Sequence, residues 1–472
     1  MNGEEHFDIY PDPETNALVG RFEKMMKDDE HYFFDVDEYE EIIDYYLYTN
    51  DIRKAKSCIH FALDQHQGNI NLLLKKAQFF VNAGKTDMAL NILAELDIVD
   101  SSETEVHLAK GNLYSQLEKP ERAIEEYTQA LQDTEDPDDI YTNIAFEYEN
   151  LGKYEKAIDF LVKALELNPS NEAVLYELSF CFEISKQTEE AVKYLSGYIN
   201  KIPYSKAAWF NLGIAYSNLE LFEKAIEAYD YAIAIDEVFA SAYFNKANCF
   251  ANLGNFEKAI ETYLETSYYE EPEPLTYYYI AECYEKLEKY DRSVDYYKKA
   301  IRLDPEFADA WLGTGISYDA QGKSQTALTY VHKAIKIVPT VPDYWFIQGD
   351  IQVKLQKIAE GIESYRKVIE LEPEDPEIWL ELAGVYGDQG DFLKASDTLT
   401  EGMKWHDQNP DFRYGLANYL LKDGKTKQAY EMLETALGMD YNGYQRMFKS
   451  FPDLSENPEI NGIIEGYNKG KE

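Results

Sequence analysis

Residues 206–239 read KAAWFNLGIAYSNLELFEKAIEAYDYAIAIDEVF, and this stretch holds two apolar stripes separated by one polar break. Trp209, Leu212, Ala215, Tyr216 and Leu219 recur with the period of an amphipathic helix, roughly 3.6 residues. After Glu220, a second stripe runs through Phe222, Ala225, Ile226, Tyr229, Ala232 and Ile233. Two helices joined by a tight turn make a helical hairpin. A single hairpin cannot bury both stripes, so neighbouring copies have to stack.

Such copies exist on both sides. Ala225 belongs to a series spaced by 34 residues: Ala55, Ala89, Ala123, Ala157, Ala191, Ala259, Ala327, Ala395 and Ala429, with Ser293 and Gly361 in the two remaining places. Starting each copy nineteen residues earlier gives starts at 36, 70, 104, 138, 172, 206, 240, 274, 308, 342, 376 and 410, and the array fills 408 of 472 residues. The eighth position is small in eleven copies and the eleventh is aromatic in ten. The fourth is often Trp or Tyr, and proline recurs at the thirty-second in Pro169, Pro203, Pro305, Pro339 and Pro373. Six copies place glycine at the break (Gly84, Gly152, Gly254, Gly322, Gly390 and Gly424). Small residues belong where helix axes come close, so Gly213 and Ala225 are packing residues. A fixed period of this length is the signature of a solenoid.

The pattern Trp209, Leu212, Gly213, Tyr216, Ala225, Tyr229, Ala232 resembles the tetratricopeptide repeat, and Pro305, Pro339 and Pro373 match that family's proline between repeats. The resemblance covers residues 36–443. It implies an all-α, right-handed solenoid of tandem hairpins whose first helices line a concave groove that binds segments of other proteins. The copy at 342 departs from the pattern, with Gln352 and Gly361 in place of the aromatic and the alanine. Residues 1–35 are expected to hold a polar, mobile tail and a capping helix over 15–28, with Asp35 and Glu38 as a helix start. Residues 444–472 are expected to close the array with one or two capping helices.

Composition narrows the function. A formal net charge of −43 argues against binding nucleic acid, which needs a basic face, and against docking on anionic membranes. The first twenty residues lack the apolar core of a signal peptide, and no apolar run reaches the ~20 residues of a membrane span. Three of the four cysteines, Cys181, Cys249 and Cys283, occupy the tenth repeat position on a packed side. Cys58 stands alone, and no pair has metal-binding spacing, so neither a disulfide framework nor a zinc site is indicated. The cytoplasm is the expected location.

In the family that the repeats resemble, the groove is lined by first-helix positions two, five, nine, twelve and thirteen. Across twelve copies these hold sixteen acidic residues and three basic ones, against 88 and 45 in the whole chain. The acid flanks a neutral centre, since the copies at 206 and 240 contribute none. Position five is apolar or aromatic through Tyr176, Phe210, Phe244 and Tyr278, and position nine adds Phe146, Phe180 and Ile214. Asn211 and Asn245 at position six, with Asn248 nearby, are placed to hydrogen-bond a ligand backbone, and Glu282 supplies charge. These eleven residues form the candidate partner-binding groove, suited to a basic segment with apolar anchors. The aromatic residues also fit plain packing, and the sequence leaves those two readings open.

The seven histidines are scattered, and no phosphate loop, metal cluster or paired-carboxylate motif stands apart from the repeats. The expectation is a non-catalytic scaffold or adaptor without cofactor. Two other readings stay open: a regulator that responds to a short peptide, and a solenoid that self-associates. Members of the family that clamp an acidic C-terminal peptide carry Lys at position five, and no copy here does. Calorimetry with an acidic C-terminal peptide should therefore detect no binding, and measurable affinity would overturn this exclusion.

Overall fold

The computed structural model describes residues 13–28, 32–96, 104–132, 134 and 136–469. The polar segment expected at 1–14 therefore lies almost wholly outside the described residues. The chain forms two compact units, Met1–Glu237 and Val238–Glu472. Both are built from helices alone among the described residues.

The first unit opens with helix Pro13–Asp28, which buries Val19, Phe22 and Met25. Phe22 meets Tyr39, Tyr46 and Phe61, so this helix covers the apolar end of the first hairpin. The next helix starts as its sequence dictates. Asp35 accepts from the Glu38 backbone N–H at 2.9 Å, while the Glu38 carboxylate accepts from that of Asp35 at 3.0 Å. Six hairpins follow, their first helices beginning at Val36, Ile70, Thr104, Asp138, Glu172 and Lys206. The second unit contributes six more, beginning at Ala240, Pro274, Ala308, Pro342, Pro376 and Pro410, then helices Tyr444–Ser450 and Pro458–Lys469.

Four repeat junctions are tied by a bond that joins a tryptophan at position four to the proline at the preceding position thirty-two. The indole N–H of Trp209 donates to the Pro203 carbonyl, and Trp311, Trp345 and Trp379 donate likewise to Pro305, Pro339 and Pro373, each at 2.9 Å. Proline ends one helix, and the indole satisfies the carbonyl that it leaves without a helical partner. Cys58, Cys181, Cys249 and Cys283 are all buried as free thiols. His107 takes the aromatic fourth position and packs there, with Nδ1 at 2.7 Å from Glu126. That carboxylate also pairs with Lys110 at 2.8 Å, inside the repeat.

Each turn between the two helices of a repeat passes through the left-handed region at position fifteen. Six copies place glycine there, and the other six hold Asn50, Glu118, Lys186, Glu220, Glu288 and Gln356 at φ between 55° and 61°. A side chain in that conformation is strained by roughly 1–2 kcal/mol relative to glycine. Gly152→Ala, with φ of 66°, should therefore destabilise the first unit by about 1 kcal/mol. Glu220→Gly should stabilise it by about 0.5–1 kcal/mol, because relief of strain exceeds the entropy cost of glycine. A thermal unfolding series checks both, and shifts of the opposite sign would refute the strain account.

Candidate functional site

The eleven candidate residues divide between the two units, and the structure treats the two groups differently. In the second unit, Phe244 lies against Tyr263 at 5.6 Å and Tyr279 at 5.8 Å. Tyr278 lies against Tyr297 at 5.6 Å and Phe307 at 5.0 Å. Asn248 accepts from the Tyr263 hydroxyl, and the Asn245 amide donates to the carbonyl of Ser241 in its own helix at 3.1 Å. Glu282 accepts from the Tyr278 hydroxyl at 2.9 Å. These five side chains are thus half-buried and engaged within the chain.

The first unit presents more to solvent. Phe146 on helix Asp138–Asn150 is 54% exposed, and Tyr176 and Phe180 on helix Glu172–Ile184 are 37% and 46% exposed. Positions five, nine and thirteen lie four residues apart, so Tyr176, Phe180 and Ile184 share one helix face. Ile184, 47% exposed, was not among the sequence candidates. Its signal was an apolar residue at position thirteen, where most other copies place a polar or charged one. Phe210 departs from the expectation: it is only 8% exposed, packed against Tyr229 at 5.8 Å and Tyr176 at 6.4 Å. Asn211 is also buried, and Ile214 is half-buried.

Position twenty-four accounts for much of this difference, though not for Tyr414, which is buried at position five with Leu433 at twenty-four. Position twenty-four, on the second helix, is tyrosine in five copies: Tyr127, Tyr229, Tyr263, Tyr297 and Tyr365. In the four of these with an aromatic residue at position five, the two rings sit 5.6–5.9 Å apart. The tyrosine covers that aromatic and draws it into the packing. The copy at 172 has Leu195 instead, and its Tyr176 stays uncovered. Beside Tyr176 and Phe180 lies a cavity of about 190 Å³, lined also by Ser179, Glu183, Leu195, Asn211 and Ile214.

Tyrosine twenty-four also accounts for much of the polar character at positions nine and twelve. Tyr127 donates to Asn112 at 2.8 Å, Tyr365 to Asp350 at 2.5 Å, and Tyr297 to Glu285 at 3.3 Å. Glu285 accepts from Ser317 as well, and Asp319 pairs with Lys354 at 2.9 Å. Burial raises the carboxyl groups of Glu282, Glu285 and Asp350 above the ordinary range. In these places the acid expected to face a partner is an internal acceptor. Glu183 differs, being exposed at the cavity wall. Among the described residues, no cluster of three His, Cys, Asp or Glu could hold a metal, and no helix is long and apolar enough to cross a membrane.

Glu149, at position twelve of the copy at 138, is pushed up to about 7, first by burial and then by Glu177 beside it. A carboxyl raised in the folded state keeps its proton there while the unfolded chain has already lost it. Stability therefore falls as pH rises from about 4.5 to about 7 and stays lowered above that window. Glu149→Gln should raise the unfolding midpoint at pH 8 and leave it unchanged at pH 4. Equal midpoints for the two proteins at pH 8 would show that Glu149 is not so perturbed.

Models described as tetratricopeptide repeat match residues 139–171, 207–237 and 274–307, residues 104–132 and 240–265, and residues 296–329. A further model, described as TPR repeat, matches residues 349–390. No curated protein sequence matches the chain. Among solved structures, the APC/C hetero-tetramer Cut9-Hcn1 is similar at 15% identity, covering 86% of this chain and 99% of that chain with a TM-score of 0.40. The C-terminal part of a TPR repeat-containing protein from Cytophaga hutchinsonii is similar at 16% identity, over 54% and 98% of the two chains, TM-score 0.45. YrrB, a TPR protein with an unusual peptide-binding site, is similar at 18% identity, over 38% and 92%, TM-score 0.33.

Proposed function

This chain belongs to the tetratricopeptide-repeat family, and from that premise we propose that it is a non-catalytic scaffold or adaptor that captures a partner protein segment on the first-helix face of the unit Met1–Glu237. One observation carries the reading: Phe146, Tyr176, Phe180 and Ile184 stand exposed on neighbouring first helices, beside a cavity. Isolated apolar residues on a surface are ordinary, but an exposed aromatic strip around a concavity is what a binding hot spot requires. Each of these side chains, if fully covered by a partner, contributes roughly 1.5–3 kcal/mol.

The partner segment is basic with apolar anchors. Glu183 at the cavity wall and Glu177 on the same helix are exposed carboxylates that favour a cationic neighbour. Such charges guide approach and exclude acidic competitors more than they hold the complex. The protein works in the cytoplasm, without cofactor.

Affinity capture with the intact chain, compared with a Phe146→Ser/Tyr176→Ala/Phe180→Ser variant, tests this. A Tyr204→Ser/Tyr268→Ser variant removes tyrosines that are 83% and 81% exposed and on neither of the strip's helices, and serves as the control. Partners should be lost from the strip variant by tenfold or more, kept by the control, and weakened by salt. Identical partner sets for all three proteins would reject the proposal.

A further inference from the structure

We infer that the cavity between helices Glu172–Ile184 and Lys206–Asn218 is a selectivity pocket for one aromatic side chain of the partner, followed in its sequence by a basic residue. The inference rests on the first-helix face being the binding face and says what that face selects.

The pocket exists because a tyrosine is missing. In five sibling copies, the ring at position twenty-four projects from the second helix toward the first. Where position eight is glycine, the ring takes the space that a Cβ would claim: the Cβ would fall 2.4 Å from Tyr127 at Gly111, 2.5 Å from Tyr229 at Gly213 and 2.6 Å from Tyr365 at Gly349. In the copy at 172, Leu195 and Ser179 occupy positions twenty-four and eight, and both line the cavity. A branched aliphatic side chain replaces a phenol, and the volume that the ring would fill is left open.

The volume suits the class of ligand. A cavity of about 150 Å³ lined by apolar side chains takes up benzene, and this one is about 190 Å³. One phenyl or phenol ring fits, and two do not.

A second observation points independently to an occupant. Asn211 is 3% exposed, lines the cavity, and its Nδ2 has no hydrogen-bond partner. A buried amide donor left unpaired costs roughly 1–3 kcal/mol. Asn245, at the same repeat position, satisfies its own Nδ2 on the Ser241 carbonyl. Asn211 does not, and a turn of its amide, which now holds Nδ2 away from solvent, brings that donor to an oxygen of the inserted residue. In the chain's own Tyr–Asn contacts the hydroxyls of Tyr127 and Tyr263 donate to the amide oxygens of Asn112 and Asn248, whereas at Asn211 the partner's oxygen accepts from Nδ2.

Charge fixes the neighbour of the aromatic residue. Glu183 forms part of the wall and is exposed, without an ion pair among the described residues. A lysine or arginine next to the inserted ring comes within reach of it, whereas an acidic residue there is repelled.

The test uses the full chain and three capped dipeptides, acetyl-Tyr-Lys-amide, acetyl-Phe-Lys-amide and acetyl-Ala-Lys-amide, titrated at low salt by ligand-observed NMR. The two aromatic probes should bind at least tenfold more tightly than the alanine probe. Ser179→Gly/Leu195→Tyr converts this repeat to its siblings' pattern and fills the pocket from within, so it should abolish that preference. Asn211→Leu preserves size, keeps the test independent of how the double variant folds, and should weaken the tyrosine probe severalfold. No aromatic preference, or a preference undiminished in either variant, overturns the inference. The two readings also part cleanly: a captured partner that depends on Phe146 and Phe180 but binds the filled variant normally leaves the scaffold reading intact and removes the pocket.

Discussion

The small residue of the second helices is taken out of water: Ala55, Ala89, Ala123, Ala157, Ala225, Ala259, Ala327, Ala395 and Ala429 are all 0% exposed, as is Ser293, and Ala191 is 4% exposed. At these points two helices approach until only a methyl or hydroxymethyl group fits between them, and an added methylene costs roughly 1–3 kcal/mol. Close approach then lets the larger side chains on either side interlock. Repetition follows from the constraint, since a hairpin that leaves one stripe bare is stable only against another like it. At four junctions a bond from tryptophan to proline ties the first helix of one hairpin to the turn before it.

Within that frame, position twenty-four shapes what the copies from 138 to 274 show to their surroundings. A tyrosine there covers the aromatic at position five and gives its hydroxyl to a polar residue at nine or twelve. The first-helix face of such a repeat is closed. A leucine there asks for no acceptor and, in the copy at 172, leaves the aromatic at position five uncovered. The copies at 138 and 172 have Leu161 and Leu195, and both hold phenylalanine at nine, exposed as Phe146 and Phe180. One substitution on a second helix thus changes the chemistry of a surface formed by the first.

This explains why the fold was legible in the sequence and the exposure of the candidate site residues only in part. The period, the break at position fifteen and the capping pair Asp35 and Glu38 each act locally, and local rules can be read along a chain. Exposure at position five is not local. Tyr176 and Phe210 are both aromatic at the same repeat position, yet one is open and the other packed, because Leu195 and Tyr229 stand nineteen residues further on. Nor could spacing alone distinguish a carboxylate that accepts from tyrosine, such as Asp350, from one left in solvent, such as Glu183.

The same distinction limits what the net charge of −43 can do. Charges beyond about 8–10 Å are screened at physiological salt, so most of the surplus acid acts on solubility and not on a ligand at one spot. Acids bonded to tyrosine and raised by burial contribute still less field. On the proposed reading, a docking segment would sense the handful of carboxylates within one screening length of Phe146, Tyr176 and Phe180. Specificity would then be set where exposed acid and uncovered aromatic surface coincide, and in the first unit that coincidence falls on helix Glu172–Ile184.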